Sequence, residues 1–170
     1  MGSRQRHDPT KNLVGFVVGD VEYAIGIDYV REIVNPLDIV SLPRAPAGVS
    51  GVADYRGEVV AVVDMRARFG LLPSPATRKT KWILVDLGDR AVALVVDAVT
   101  DVFGGPEIKP APALGGGDEA RGLVGVTKHG GGLVFVLETR RFRDLTEELA
   151  REGSIGPSAA APGVWTRGSP

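Results

Sequence analysis

The chain has 170 residues, of which 44% are hydrophobic and 24% are charged, a composition typical of a soluble globular protein with one domain or two small halves. Its formal net charge of -1 excludes the global positive field that general binding to nucleic acid or to an anionic membrane requires. Cysteine is absent, which excludes disulfides, thiolate metal sites and thiol catalysis.

The first half of the chain predicts two β-hairpins separated by a helical turn. Residues 1–11 are polar and are expected to form a disordered arm, whereas residues 13–27 contain two apolar strands around a Gly-Asp turn. Within residues 27–34, apolar side chains recur at intervals of three, which predicts a short helical turn. Residues 51–64 form the second hairpin, and residues 72–81 are a polar, proline-marked connection.

The second half predicts a similar order of elements and ends in a helix. Residues 82–96 form a hairpin, residues 110–120 form a glycine-rich loop, and residues 123–137 form another hairpin. From about 139 to 151, apolar residues recur at helical spacing with charges between them, which predicts a C-terminal amphipathic helix. Residues 153–170 have low complexity and are expected to form a disordered tail, which is either inert or a short docking motif that includes Trp165.

An internal repeat with an offset of about 70 residues relates the two halves. Residues 51–64 align without a gap with residues 125–138, and residues 19–34 align with residues 88–103. The aligned stretches share turn glycines, apolar strand positions and acidic residues. The chain is therefore predicted to be a tandem duplication of one β-rich unit.

Candidate catalytic residues are few. His7 lies in the predicted arm and His129 in a glycine-flanked turn, so both are expected to be solvated. Neither a G-x-S-x-G elbow nor a phosphate-binding P-loop motif occurs. Four carboxylates come in pairs separated by four residues, and capping or solvation of the helical turns explains them better than catalysis: Asp28, Glu32, Asp97 and Asp101. Asp64 and Glu138, which end equivalent strands, are also interpreted as caps, and we predict no enzymatic activity.

Arg56 is the side chain in this sequence that most resembles a binding residue. It lies in a turn between Tyr55 and Gly57, and the second repeat has no arginine there. A guanidinium group can make a planar contact with a carboxylate, either in a partner or in its own half. The alternative is a solvated turn arginine. Glu32 is the expected internal partner, so we predict a Glu32–Arg56 ion pair.

These residues resemble the CheW-like adaptor domains of bacterial chemotaxis. The resemblance runs from about Leu13 to Leu149 and rests on five ordered motifs. They are V-x-E-I at Val30–Ile33, L-P-x-A-P at Leu42–Pro46, G-V-x-x-x-R-G at Gly51–Gly57, V-V-D-M at Val62–Met65 and V-V-D-x-V at Val95–Val99.

The resemblance implies a mainly β fold of two tandem five-stranded SH3-like β-barrels with short helices and a C-terminal helix. The CheW-like domain would occupy residues 12–152, with a first barrel at about 12–80, a second at about 81–140 and the helix at about 139–151. Members of this family have no catalytic activity, so the resemblance implies no cofactor and no metal.

The resemblance also implies partners and a binding surface. Such adaptors couple the cytoplasmic tips of chemoreceptors to a CheA-type histidine kinase, whose regulatory domain resembles the adaptor. They are cytoplasmic, do not insert into the membrane themselves and are recruited to membrane-associated receptor arrays. The receptor helix would lie in a groove between the barrels. Carried over by position, the receptor-binding residues are Val30, Glu32, Ile33, Arg56 and Gly57, with Val99 and Val102 across the groove.

One departure from the family pattern lies beside the predicted site. The family usually has Asn-Leu before the Arg-Gly pair, whereas this chain has Asp54 and Tyr55, which we expect to influence the choice of partner. Two alternatives stay open. The adaptor would serve a kinase pathway other than chemotaxis, controlling motility, development or gene expression, or the two barrels would form a small-molecule sensor.

Overall fold

The computed structural model describes residues 12–104, 107–110 and 122–151. The predicted arm at 1–11 and the predicted tail at 153–170 lie outside these residues. In the first half, the elements are β1 (Asn12–Val18), β2 (Val21–Gly26), a 3-10 helix (Ile27–Tyr29), β3 (Val30–Val34), β4 (Val49–Tyr55), β5 (Glu58–Asp64) and α1 (Met65–Arg68). In the second half, they are β6 (Lys81–Asp86), β7 (Ala91–Val96), β8 (Ala98–Gly104), β9 (Leu123–His129), β10 (Gly132–Leu137) and α2 (Arg141–Arg151).

The strands form two five-stranded sheets, which confirms the predicted mainly β class. The first sheet has the strand order β8-β1-β2-β10-β9, and the second has the order β3-β6-β7-β5-β4. Most neighbours are antiparallel, but β10 pairs with β2, and β5 with β7, in parallel. With β1 to β5 equated in turn to β6 to β10, the two orders become the same. The topology therefore carries the duplication that the sequence indicated.

The sheets do not correspond to the sequence halves that were predicted as barrels at 12–80 and 81–140. The first sheet joins β1 and β2 of the first half to β8, β9 and β10 of the second half. The second sheet joins β6 and β7 to β3, β4 and β5. Each repeat thus exchanges strands with the other. A boundary near residue 80 does not separate the two sheets, because each sheet contains strands from both sides of it.

Three apolar clusters hold this arrangement together. One is contributed mainly by the second sheet and includes Val60 and Trp82. A second is contributed mainly by the first sheet and includes Leu13 and Phe103. The largest takes residues from both sheets, because strands such as β5 direct successive side chains to opposite faces and bury both. The sheets therefore share their principal core and pack as one unit.

The predicted helical turn at 27–34 is wrong for most of its length. A 3-10 turn covers Ile27–Tyr29, and the chain then continues as strand β3. The pairing of β3 with β6 shifts register between Val30 and Glu32, as it does where a bulge inserts one extra residue. Because of that extra residue, apolar side chains stand three apart within a strand, and this spacing was misread as helical. The equivalent strand β8 has a register shift against β1.

The C-terminal helix α2 follows β10 of the first sheet and docks on the β6–β7 turn of the second. Phe142 is fully buried, and the Arg143 guanidinium donates to the Leu87 carbonyl at 3.1 Å and to Asp89 Oδ1 at 2.6 Å. A hydrogen bond from Arg90 and the charges of Arg90 and Arg143 lower the pKa of Asp89. The predicted helix is confirmed from Arg141 onward, and it links the two sheets.

Among the described residues, no helix is both long enough and apolar enough to cross a membrane.

Candidate functional site

The β4–β5 hairpin turn holds Arg56 in an uncommon backbone conformation. Tyr55 pairs with Glu58, so Arg56 and Gly57 alone form the loop, and their φ angles are 51° and 83°. Two positive φ values in a two-residue loop are the signature of a type I′ turn, which favours glycine, asparagine or aspartate. The backbone N–H of Gly57 donates to Asp54 Oδ1 at 2.8 Å, which fixes the turn.

Arg56 pairs with Glu32, as the sequence predicted. An Arg56 Nη atom donates to Glu32 Oε1 at 2.9 Å, and the guanidinium carbon lies 5.3 Å from the centre of the buried Tyr55 ring. The Arg56 side chain is 73% exposed, so the pair contributes only about 0–1 kcal/mol to stability. Its main effect is to orient an exposed guanidinium group.

A second ion pair also joins β3 to the β4–β5 hairpin. Arg31 of β3 donates to Glu58 Oε2 of β5 at 2.7 Å and lies 3.4 Å from Asp86 Oδ2. Burial acts to lower the pKa of Arg31, but hydrogen bonds and electrostatic attraction from Glu58 and Asp86 outweigh it, so the pKa is raised. The two pairs therefore bring the outer strand β3 against the β4–β5 hairpin, which lies at the other end of the second sheet.

The first sheet has a corresponding contact between its outer strands β8 and β9. His129 Nε2 lies 3.1 Å from Asp101 Oδ2, and the imidazole stacks on Phe103 with ring centres 3.8 Å apart. Asp101 occupies the repeat position of Glu32, and His129 occupies that of Tyr55. The expectation that His129 is a solvated turn residue is therefore wrong, because its ring is stacked and paired.

The paired carboxylates also differ from the predicted caps of helical turns. Glu32 and Asp101 lie on strands and make the edge contacts described above. Asp97 Oδ2 accepts from the Gly19 N–H at 2.8 Å, and its Oδ1 accepts from Arg66 Nε at 3.2 Å. Asp64 does act as a helix cap, because its side chain accepts from the first backbone N–H groups of α1.

A groove of about 780 Å³ lies between the two sheets and is called the inter-sheet groove below. Its lining includes Ile33 from β3 and Val99 from β8, two of the predicted site residues on opposite sheets. Ile33 is 38% exposed, so it adds apolar surface to the groove, and it is one of several large apolar side chains exposed among the described residues. The lining also includes Arg78, Lys79 and Lys81.

The predicted site residues therefore fall into three groups. Glu32 of β3 pairs with Arg56, which adjoins Gly57 in the β4–β5 turn, and Ile33 and Val99 line the inter-sheet groove from different sheets. Val102 lies on β8 and is 54% exposed, but it is not one of the described residues that line the groove. Val30, half-buried on β3, packs partly against the shared core.

The CheW-like domain model matches residues 12–145, which is most of the chain and all ten strands. The chain belongs to the CheW-like domain family. It is 32% identical over 145 residues to the probable chemotaxis protein CheW of Rhizobium etli, a match that covers 82% of this chain and 92% of that protein. It is 36% identical over 121 residues to the chemotaxis protein CheW of Rhizobium meliloti, covering 68% and 78% of the two chains.

A solved CheW structure shares the fold. The scaffolding protein TtCheW of Thermoanaerobacter tengcongensis superposes with a TM-score of 0.69 at 27% identity, over 75% of this chain and 88% of that one. The chain is also 29% identical over 125 residues to protein FrzA of Myxococcus xanthus, covering 72% of this chain and 78% of that one. The chain is therefore a CheW-like protein with the SH3-like architecture that the resemblance implied.

In this CheW-like domain, the two unusual residues before Arg56 serve the turn. Asp54 binds the Gly57 N–H, and Tyr55 supplies a buried ring beneath the guanidinium. Both residues that differ from the Asn-Leu pattern therefore contact the turn that holds Arg56. The sequence analysis did not assign the cations at 78–81 to the groove, because it interpreted them as part of a connection. Three positive charges within four polar residues were the signal that could have indicated a binding surface.

Proposed function

We propose that this CheW-like domain is a non-catalytic adaptor that couples a chemoreceptor tip to a CheA-type histidine kinase in a chemosensory array. The observation that carries the proposal is Arg56, an exposed guanidinium in a left-handed turn that glycine would occupy without strain. A strained residue that adds little stability indicates selection for contact with a partner. The relatives named as chemotaxis proteins make a chemosensory partner the consistent choice.

The proposed receptor surface comprises the β4–β5 turn and the neighbouring groove. Glu32 pairs with Arg56, and the next residue along β3, Ile33, lines the groove together with Val99 of the other sheet. A polar anchor beside an exposed aliphatic floor is the usual composition of a weak, specific interface. Gly57, Val30 and Val102 complete the proposed set.

The kinase partner follows from the same family argument. We expect the regulatory domain of a CheA-type kinase to bind this domain elsewhere on its surface, so that receptor and kinase are held together. Individually weak contacts gain strength when many copies assemble in an array. We propose that the protein acts in the cytoplasm and is recruited to receptors in the membrane.

A second candidate function is an adaptor for a kinase pathway other than chemotaxis. What favours it is the similarity to protein FrzA, a relative whose name differs from CheW. The sensor hypothesis has less support. The inter-sheet groove is large enough for a small molecule but is open rather than enclosed, and two further pockets of about 290 and 260 Å³ fall below the 300–1,000 Å³ that is common for such sites.

The test is a pull-down from cytosol of the source organism, with mass spectrometry of the retained proteins. Wild-type bait is expected to retain a histidine kinase and a chemoreceptor, and Arg56→Ala bait to retain the kinase but less receptor. The matched control is Arg44→Ala, because Arg44 is also an exposed arginine with positive φ, at 59°. Recovery of the kinase with a different sensor protein would favour the second candidate, and recovery of neither would refute the adaptor proposal.

A further inference from the structure

The inter-sheet groove has an unbalanced positive wall. Arg78, Lys79 and Lys81 all line it. Lys81 Nζ donates to the backbone carbonyls of Arg78 at 2.8 Å and Thr80 at 3.3 Å, neither of which carries a charge. Within the described part of the chain, no carboxylate forms an ion pair with any of these three cations. Their charge therefore faces the groove uncompensated.

This wall, residues 77–81, is called the basic turn, and threonine side chains hold it in shape. The Thr77 N–H donates to Thr80 Oγ1 at 2.8 Å, and the Lys79 N–H donates to Thr77 Oγ1 at 3.1 Å. Thr80 is only 9% exposed, so the centre of the turn is anchored in the protein. A backbone ordered in advance lowers the entropy cost of binding a partner.

The remainder of the groove is apolar or already neutralised. Ile33, Ala98 and Val99 contribute aliphatic surface. Asp97 is the acidic residue in the lining, but its two oxygens accept from Arg66 and from the Gly19 N–H. Asp97 therefore does not neutralise the cations of the basic turn, which can attract an anion from a partner.

We infer that the segment of the partner seated in this groove is acidic and amphipathic. Its apolar face covers Ile33 and Val99, and its carboxylates face Arg78, Lys79 and Lys81. Charge complementarity of this kind selects partners and accelerates association. The inference rests on the proposed function, because it gives the chemistry of the receptor segment assigned to the same groove.

Two synthetic helical peptides test the chemistry of the groove independently of any receptor. Both carry the same leucine stripe, flanked by glutamates in one peptide and by lysines in the other. Fluorescence anisotropy should show binding of the glutamate peptide that is at least about tenfold tighter, since each exposed ion pair adds up to about fivefold in affinity. Amide NMR shifts should localise it to Ile33, Val99 and the basic turn. Equal binding of the two peptides would overturn the inference.

Charge reversal then locates the effect. The double variant Arg78→Glu/Lys79→Glu should lower the affinity for the glutamate peptide by about tenfold and make that affinity less dependent on salt. The matched control is Lys109→Glu/Lys128→Glu, which makes the same change of net charge at exposed residues outside the groove lining. Equal losses in the two double variants would refute a localised basic site. The inference would also be overturned if the protein did not bind the glutamate peptide but sedimented with anionic lipid vesicles, and if that sedimentation required Arg78 and Lys79. The cations would then be assigned to a membrane surface.

A chemoreceptor tip fragment separates this inference from the proposed function. The receptor assignment stands and the acidic partner is refuted if the fragment binds with an affinity that falls in the Ile33→Ser variant but does not change with salt or with Arg78→Glu/Lys79→Glu. If the fragment does not bind but the glutamate peptide does, and the charge reversal abolishes that binding, the groove chemistry stands and the receptor assignment fails.

Discussion

Replacing Arg56 by glycine should leave stability nearly unchanged, whereas replacing it by alanine should lower it. The backbone φ of 51° places Arg56 in the left-handed region, which costs an L-residue about 1–2 kcal/mol. Glycine removes that cost but brings about 0.5–1 kcal/mol of extra chain entropy in the unfolded state. Alanine keeps the strain, and both variants lose an exposed ion pair with Glu32 that contributes about 0–1 kcal/mol.

The balance favours Arg56→Gly over Arg56→Ala by about 0.5–1 kcal/mol. For a chain of this length, the melting temperature of the glycine variant should be higher by about 1–4 °C. Urea denaturation would give the same order of midpoints without a change in m-value. Because both variants lack the guanidinium, both should retain less receptor in the pull-down to the same extent.

Gly130, at the repeat position of Arg56, provides an internal reference. Its φ is 60°, and an added Cβ would meet no atom within 4 Å, so Gly130→Ala isolates the backbone cost. That variant should lose about 1 kcal/mol. If Arg56→Ala were as stable as Arg56→Gly while Gly130→Ala lost stability as expected, the strain argument for Arg56 would be refuted.

Three further predictions concern the assembly of the two sheets. Phe142→Ala should cost about 3–5 kcal/mol in urea denaturation, because the ring is fully buried beneath α2, and a loss below about 1 kcal/mol would contradict this docking. The pKa of Asp89 is lowered in the folded state, so its stabilisation is present above the ordinary aspartate pKa of about 4 and is lost as pH falls through the folded value. Thermal melts should therefore show Asp89→Asn less stable than wild type at pH 7 and equal to it in strong acid; a difference constant with pH would contradict the assignment. Separate fragments 12–80 and 81–151 should each lack dispersed amide NMR spectra and gain them on mixing, since each sheet needs strands from both. A folded single fragment would disprove that dependence.

Local alternation was sufficient to predict the hairpins, and the repeat was sufficient to predict two equivalent sheets. The strand exchange could not be predicted this way, because repeat similarity reveals which strands are equivalent but not which strands pair. Both parallel pairs, β2 with β10 and β5 with β7, connect different repeats. Such pairings depend on long-range packing, and the sequence of either repeat is compatible with closing on itself.

The candidate site was partly predictable. The Glu32–Arg56 pair followed from opposite charges at motif positions, and the structure confirms it. The strand that carries Glu32 was misread as helix, because the register shift beside it interrupts the alternation that identifies strands. The basic turn was missed because prolines and polar residues dominate the surrounding connection. Its position against the groove depends on how the two sheets pack.

The exchange of strands has a consequence for the origin of the fold. Two separate copies of one repeat, paired as the halves are here, would form a twofold domain-swapped homodimer. Such a dimer would have to present two identical surfaces, because every substitution would occur twice. Fusion into one gene product removes that restriction and makes assembly independent of concentration. In this chain one repeat pairs Arg56 with Glu32, whereas the other pairs His129, at the repeat position of Tyr55, with Asp101. A single chain therefore presents different side chains at its two equivalent hairpins.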